Sequence, residues 1–168
     1  GFLDTMDALN SYGSREKKLE ILKDSRTGAF AVIGFGLYLV ASLALWSEAE
    51  PEMLPVIGAG YVMSRSLSGL SVMVFPSAKK DGLGRTFQEQ AHRKRVAVVM
   101  GCWFFAALAV MLMTSVQMGA AALCTALLVF WYYHHMAMKQ FGGMTGDLAG
   151  YFLQLAELLI LAAVIVAG

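Results

Sequence analysis

Two aspartates near the start of the sequence, Asp4 and Asp7, give the first indication of chemistry. They are three residues apart, so on a helix their carboxylates share one face about one turn apart. Carboxylates at that separation repel each other, and a shared divalent cation relieves the repulsion. The pair therefore predicts half of a metal site at a membrane surface, within residues 1–28 and directly before the first long apolar run.

Two more aspartates extend this prediction. Asp24 lies near the end of the same segment, and Asp147 lies in the glycine-rich turn GGMTGD. A turn of this kind at the start of a helix lets backbone N–H groups, here around Thr145 and Gly146, approach a phosphate. We therefore expect Asp147 and its neighbours to lie at an anion-binding helix end.

Charged residues inside apolar runs are costly and are therefore candidates for function. Glu157 lies about three helical turns into the last run, and Arg65 lies within the second. Glu157 fits a metal ligand, with a structural ion pair to Arg65 as the alternative. Arg65, and Arg85 after the sequence DGLG, are candidates to bind phosphate.

The composition indicates a membrane protein. Hydrophobic residues make up 58% of the chain and charged residues 15%, whereas soluble domains have about 25% charged residues. The net charge of +1 gives no indication of nucleic acid, and we expect no such partner. Cys102 and Cys124 lack metal-ligand spacing and are expected to be packed as small apolar residues.

Five apolar runs are long enough to cross a bilayer as helices. The sequence therefore predicts an all-α polytopic bundle of about five transmembrane helices in a single membrane domain, residues 1–168. Residues 1–28 are its cytoplasmic segment and residues 29–168 its bundle. Without an initiator methionine, the chain is expected to begin inside a longer protein and to lack amino-terminal helices. The runs are Ala29–Trp46, Pro55–Phe75, Val96–Val116, Gly119–Met138 and Tyr151–Ala167.

Glycine and serine in the second run favour close helix packing, so this helix is expected inside the bundle. Lysine and arginine are concentrated in the first segment, in residues 76–95 and at Lys139, whereas residues 47–54 carry only acidic charges. This alternation predicts that the three basic segments face the cytoplasm from the cytoplasmic (inner) membrane, in contact with lipid. The first segment should contain an amphipathic helix over Arg15–Lys23.

Carboxylates for Mg²⁺, arginines for phosphate and a glycine turn on one membrane face favour phosphoryl-group transfer. One aspartate would remove the proton from the attacking hydroxyl as general base.

Two segments resemble a known family. GFLDTMDAL…SREKKLEILKDSRTGAF and GGMTGDLAGYFLQLAELL are similar to the motifs DGxxDTxDG, ErxLeIMKDSrxG and GGxTGDxxGAxxExxE of the adenosylcobinamide-GDP ribazoletransferase (cobalamin synthase) family. The resemblance implies a Mg²⁺-dependent reaction at a membrane. In it, α-ribazole or its 5′-phosphate displaces GMP from adenosylcobinamide-GDP and gives adenosylcobalamin or its 5′-phosphate. A homo-oligomer, or association with other late cobalamin-pathway enzymes, is left open.

The resemblance also implies roles for single residues. Asp7 or Asp24 would be the base, and Ala8 and Gln154 depart from the commoner glycine and glutamate. The family's first aspartate would precede Gly1, so the metal site is expected to be incomplete in this chain. The implied metal ligands are Asp4, Asp7, Asp24, Asp147 and Glu157, and the implied phosphate-binding residues are Arg65 and Arg85 with Lys23 and Arg26 as weaker candidates.

Two other interpretations compete with this one. A phospholipid-type CDP-alcohol phosphotransferase predicts DGxxAR after the first aspartates, but Asp7 is followed by ALNS. A small transporter or channel subunit predicts ionisable residues along a path at mid-membrane depth, but only Glu157 and Arg65 are candidates for such depth. The enzyme is the favoured interpretation.

Overall fold

The computed structural model describes residues 1–24, 26–78 and 93–168, and the regular elements in these ranges are helical. This confirms the all-α prediction. The helices are α1 (Phe2–Asn10), α2 (Arg15–Ile21), α3 (Ala29–Glu48), α4 (Leu54–Val74), α5 (Arg93–Thr114), α6 (Val116–Met136) and α7 (Gly146–Ala167), with a 3₁₀ turn at Pro51–Met53 and a π-helical turn at Ala137–Phe141.

Helices α3, α5, α6 and α7 are each long and apolar enough to cross a membrane, which makes four candidate spans among the described residues. Helix α3 shows what such a span looks like, because Val32, Leu37 and Val40 are all more than 60% exposed. Apolar side chains this exposed along a 20-residue helix are suited to hydrocarbon. The polytopic membrane bundle is therefore confirmed.

Helix α4 differs from the expected fifth span, because Arg65 and its serines and glycines make it less apolar than the four candidates. Eleven of its residues are buried, and the hydroxyls of Ser64, Ser66 and Ser71 donate to carbonyl oxygens of the same helix at 2.7–2.9 Å. Gly60 lies against Ile160 of α7, where a larger residue would separate the helices. The prediction that this helix lies inside the bundle is confirmed.

The segments that carry the candidate site meet at one end of the bundle. Pro76–Ala78 pairs with Met144, because Met144 N donates to Pro76 O at 2.8 Å and Ala78 N donates to Met144 O at 3.0 Å. At the opposite end, Gly168 lies beside Met53 and Met118. The described parts of the three basic segments therefore share one end, as the charge pattern predicted.

Helix α2 is attached to this end by two side-chain hydrogen bonds to the π-helical turn. Lys18 is only 8% exposed, and its Nζ donates to Gln140 Oε1 at 2.7 Å. Arg15 Nη2 donates to the carbonyl oxygen of Lys139 at 3.5 Å. The amphipathic helix predicted over Arg15–Lys23 is thus present as α2, and it packs on the π-helical turn.

We expect Gly143→Ala to destabilise this end of the protein. Gly143 has φ +158°, and a Cβ there would lie 2.5 Å from Pro76 O and 2.6 Å from Ala78 N. Because both contacts are backbone atoms, they cannot move aside, so the free energy of unfolding should fall by about 1–3 kcal/mol. Thermal unfolding in detergent measures this. In Gly146→Ala the new Cβ would meet open space, so an equal loss in that control would contradict the explanation.

Candidate active site

Helix α1 places the first two aspartates by packing along α3 in the opposite direction. Asp7 lies at the start of α3 beside Gly28, Met6 lies against Gly34, and the ring of Phe2 is 5.4 Å from that of Tyr38. As the sequence spacing predicted, Asp4 is on the same helix one turn before Asp7. The carboxylates therefore lie along the α3 side of the bundle.

Asp7 caps helix α3. Its Oδ2 accepts a hydrogen bond from Gly28 N at 2.6 Å, and its Oδ1 accepts one from Ala31 N at 2.8 Å. These N–H groups have no carbonyl partner within the helix, and a negative charge at this position interacts favourably with the helix dipole. Asp7, predicted as a metal ligand or base, therefore has a structural function, and each of its oxygens already accepts one hydrogen bond.

We expect Gly28→Ala to weaken this cap, because a Cβ at Gly28 would lie 2.7 Å from both carboxylate oxygens of Asp7. The carboxylate would have to move from the amides, and losing a cap costs about 0.5–2 kcal/mol of stability. Thermal unfolding of Gly28→Ala and Asp7→Ala should show similar losses. Gly36→Ala, whose Cβ would meet nothing within 4 Å, is the matched control, and a loss there as large as in Gly28→Ala would contradict the prediction.

Asp24 forms an ion pair with Arg26. Arg26 Nη2 donates to Asp24 Oδ2 at 2.8 Å, and Arg26 N donates to Asp24 Oδ1 at 3.0 Å. The Arg26 guanidinium, followed by its backbone N–H, lowers the pKa of Asp24 to about 2. A carboxylate with so low a pKa is a weak base for removing a hydroxyl proton at neutral pH. Lys23 is exposed close by.

Asp4 and the backbone of Asp147 both lie beside Gly1. Asp4 Oδ2 is 3.1 Å from the amino nitrogen of Gly1, and a Cβ on Gly1 would lie 2.9 Å from the carbonyl oxygen of Asp147. Thr145 Oγ1 accepts a hydrogen bond from Leu148 N at 3.2 Å and begins α7. A Cβ on Gly146 would meet open space, so an anion can approach the start of α7 there.

Glu157 pairs with Arg65 and so connects α7 to α4. Arg65 Nη1 donates to Glu157 Oε1 and also to the carbonyl oxygen of Tyr61. The Glu157 side chain is 13% exposed, whereas that of Arg65 is 60% exposed. The structure thus has the ion pair that the sequence offered as the alternative for Glu157, and the Arg65 side chain stays largely exposed. Arg85 lies outside the described residues.

The five predicted metal ligands do not form one cluster. Within residues 1–24, 26–78 and 93–168, no three His, Cys, Asp or Glu side chains are close enough together to hold a metal ion. Asp7, Asp24 and Glu157 accept hydrogen bonds from amides or guanidinium groups, whereas Asp4 and the backbone of Asp147 both lie beside Gly1. Mg²⁺ in enzymes commonly uses one or two carboxylates, together with substrate phosphates and water. The carboxylates of Asp4 and Asp147 are hard oxygen donors of the type that Mg²⁺ prefers.

Sequence reasoning missed a groove between α1, α3 and α7. It has a volume of about 420 Å³, and Asp4 lies in its wall. The signal for it in the sequence was weak, because Phe35 and Tyr38 are aromatic residues one turn apart but the same run also contains Phe30 and Trp46. The lining residues are Gly1, Phe2, Leu3, Asp4, Phe35, Tyr38, Gly150 and Gln154.

Comparison with known proteins shows similarity along nearly the whole chain. A protein of Lachnoclostridium phytofermentans named adenosylcobinamide-GDP ribazoletransferase is 43% identical over 167 residues, which cover 99% of this chain and 64% of that protein. Relatives with the same name from Roseiflexus sp. and Citrobacter koseri are each 30% identical. The matched regions cover 96% and 98% of this chain, and 59% and 67% of the length of the respective relative. No solved structure matches.

The chain spans about three fifths to two thirds of the length of these relatives. A family model described as Cobalamin-5-phosphate synthase matches residues 1–165. That match includes α1, the segment around Asp24, and the turn and helix that carry Asp147 and Glu157. The chain therefore belongs to the cobalamin-5-phosphate synthase family.

Proposed function

We propose that this protein joins α-ribazole, or α-ribazole 5′-phosphate, to adenosylcobinamide-GDP with release of GMP. The product would be adenosylcobalamin or its 5′-phosphate. The observation that carries the proposal is the family match over residues 1–165, together with relatives whose name describes a ribazole transfer to adenosylcobinamide-GDP. Membership of this family also argues against a phospholipid-type phosphotransferase and against a transporter subunit.

In this proposal a hydroxyl of the ribose attacks one phosphorus of the diphosphate, and the bond from that phosphorus to GMP breaks. Asp4 and Asp147 would hold Mg²⁺, which when bound supplies positive charge against the diphosphate and the leaving GMP. The start of α7 at Gly146, and the largely exposed side chain of Arg65, would bind phosphate oxygens.

The attacking hydroxyl must also lose its proton. Of the two expected bases we favour Asp7. It lies one turn from Asp4 on α1, and each of its oxygens keeps a second lone pair beside the one that caps α3, whereas the Arg26 pairing makes Asp24 a weak base. Lys23 and Arg26 would add positive charge at the same end of the bundle. These assignments are part of the proposal.

An assay on membranes containing the complete protein tests the function. They would be incubated with adenosylcobinamide-GDP and α-ribazole, and we expect the joined corrinoid and GMP in equal amounts. A chelator of divalent cations should stop the reaction and added Mg²⁺ should restore it. Release of GMP without a joined product would contradict the proposal.

We also propose that the end carrying the site faces the cytoplasm from the inner membrane. Arg15, Lys17 and Lys139 lie at that end, whereas Glu48 and Glu50 lie at the other, which is the asymmetry expected of cytoplasmic and external loops. In a background with Cys102→Ala and Cys124→Ala, we expect an impermeant maleimide to modify Glu50→Cys in intact cells. Lys17→Cys should react only after lysis, and the reverse result would overturn the orientation.

A further inference from the structure

The groove between α1, α3 and α7 combines an aromatic wall with a few polar groups. Phe35 and Tyr38 are one turn apart on α3 and form the wall. Gly150 of α7 also lines the groove, and a Cβ there would meet only the Cα of Gly1, at 3.9 Å. The open space at this glycine, together with the two aromatic side chains, suits a flat ring, which can stack on aromatic side chains.

Few of the described residues that line the groove have polar side chains. They are Asp4, Gln154 and Tyr38. Phe35 is 50% exposed on the lipid-facing surface of α3, so the aromatic wall adjoins the hydrocarbon of the bilayer. A suitable ligand therefore has an apolar ring system, which would contact the aromatic wall, and hydroxyl groups, which would contact the polar side chains.

The volume limits the occupant further. About 420 Å³ lies in the range of pockets that hold small organic ligands. It is far too small for a corrin macrocycle with its side chains. Guanine has polar atoms along most of its edge, and among the described residues that line the groove only Gln154 and Tyr38 have polar side chains besides Asp4.

We propose that this groove binds the acceptor nucleoside, with its apolar benzimidazole base stacked on Phe35 and its ribose directed toward Asp4. The inference rests on the proposed function and specifies which substrate occupies this part of the site. It assigns a binding role to Phe35, Gly150 and Gln154, none of which was expected from the sequence motifs.

Steady-state kinetics of the complete protein test the assignment. Phe35→Ala removes the stacking surface and should raise KM for α-ribazole about tenfold, while KM for adenosylcobinamide-GDP stays unchanged. The matched control is Leu37→Ala, because Leu37 is also exposed on α3 but does not line the groove, and this variant should alter neither KM. A rise in KM for adenosylcobinamide-GDP instead, or no change in either, would overturn the assignment.

A binding measurement separates failure of this inference from failure of the proposed function. Equilibrium dialysis with α-ribazole alone should show binding to the wild type, about tenfold weaker binding to Phe35→Ala, and loss of binding to Gly150→Leu, whose side chain would fill the groove. This result would support the groove even if no joined product formed. Equal binding to all three proteins, absence of binding to the wild type, or displacement by GMP would overturn the inference, even if the enzyme assay succeeded.

Discussion

Replacing Asp4 with asparagine is expected to lower the rate of GMP release about a hundredfold while the protein still inserts into the membrane. Asparagine has nearly the same shape but no charge, so the proposed Mg²⁺ would lose one of its two protein carboxylates. Stabilisation of developing charge by a metal ion is worth several kcal/mol, and each 1.36 kcal/mol changes the rate tenfold. Asp147→Asn should have an effect of similar size. Rates are to be measured at saturating substrate over a range of Mg²⁺ concentrations.

A control for charge alone is available at the opposite end of the bundle. Glu50→Gln makes the same chemical change outside the site and should keep the wild-type rate. Turnover by Asp4→Asn at the wild-type rate, with normal amounts of inserted protein, would refute the role given to Asp4. A loss of protein from the membrane in Asp4→Asn alone would instead assign that carboxylate to folding.

The second large effect is expected at the ion pair between α4 and α7. Arg65→Leu leaves the nearly buried carboxylate of Glu157 without its partner. Removing one member of a buried pair costs 3–5 kcal/mol, and the exposure of Arg65 lowers our expectation to about 2–3 kcal/mol. Denaturant-induced unfolding in detergent would measure the loss.

The double variant Arg65→Leu/Glu157→Leu provides the test of coupling. Because it removes both charges, it should regain most of the stability lost in Arg65→Leu. The loss in free energy of unfolding is to be compared with those of Arg65→Leu and Glu157→Leu. If the loss in the double variant equals the sum of the losses in the two single variants, the two side chains are not coupled. If Arg65 also binds phosphate, the double variant should be stable but should remain impaired in turnover.

The helices were predictable because their signals are local. The five apolar runs correspond to α3 through α7, and the small residues of α4 correctly indicated a buried helix. The pairing of Asp24 with Arg26 also depends on residues two apart, although the sequence predicted a metal ligand or base at Asp24 and a phosphate-binding residue at Arg26. Each of these features depends on neighbours in the chain, which sequence patterns describe well.

The partners of the site residues depend on tertiary contacts and were predicted less well. Helical spacing placed Asp4 and Asp7 on one face, but it could not show that α1 packs in reverse along α3 and so places Asp7 on the amides of Gly28 and Ala31. The metal cluster was predicted from the acidic residues alone, without the guanidinium and amide donors that engage three of them. The groove was missed because Phe35 resembles any other apolar residue of a spanning helix.

The distance in sequence between α1 and α7 has a consequence for how the protein is made. The helix that begins at Gly146 leaves the ribosome about 135 residues after α1 ends at Asn10. A nascent chain can therefore insert its early helices while one wall of the groove is still missing. If the groove binds substrate as proposed, capture would therefore wait until α7 enters the bilayer, and messages truncated before Gly146 should yield an inserted but inert product.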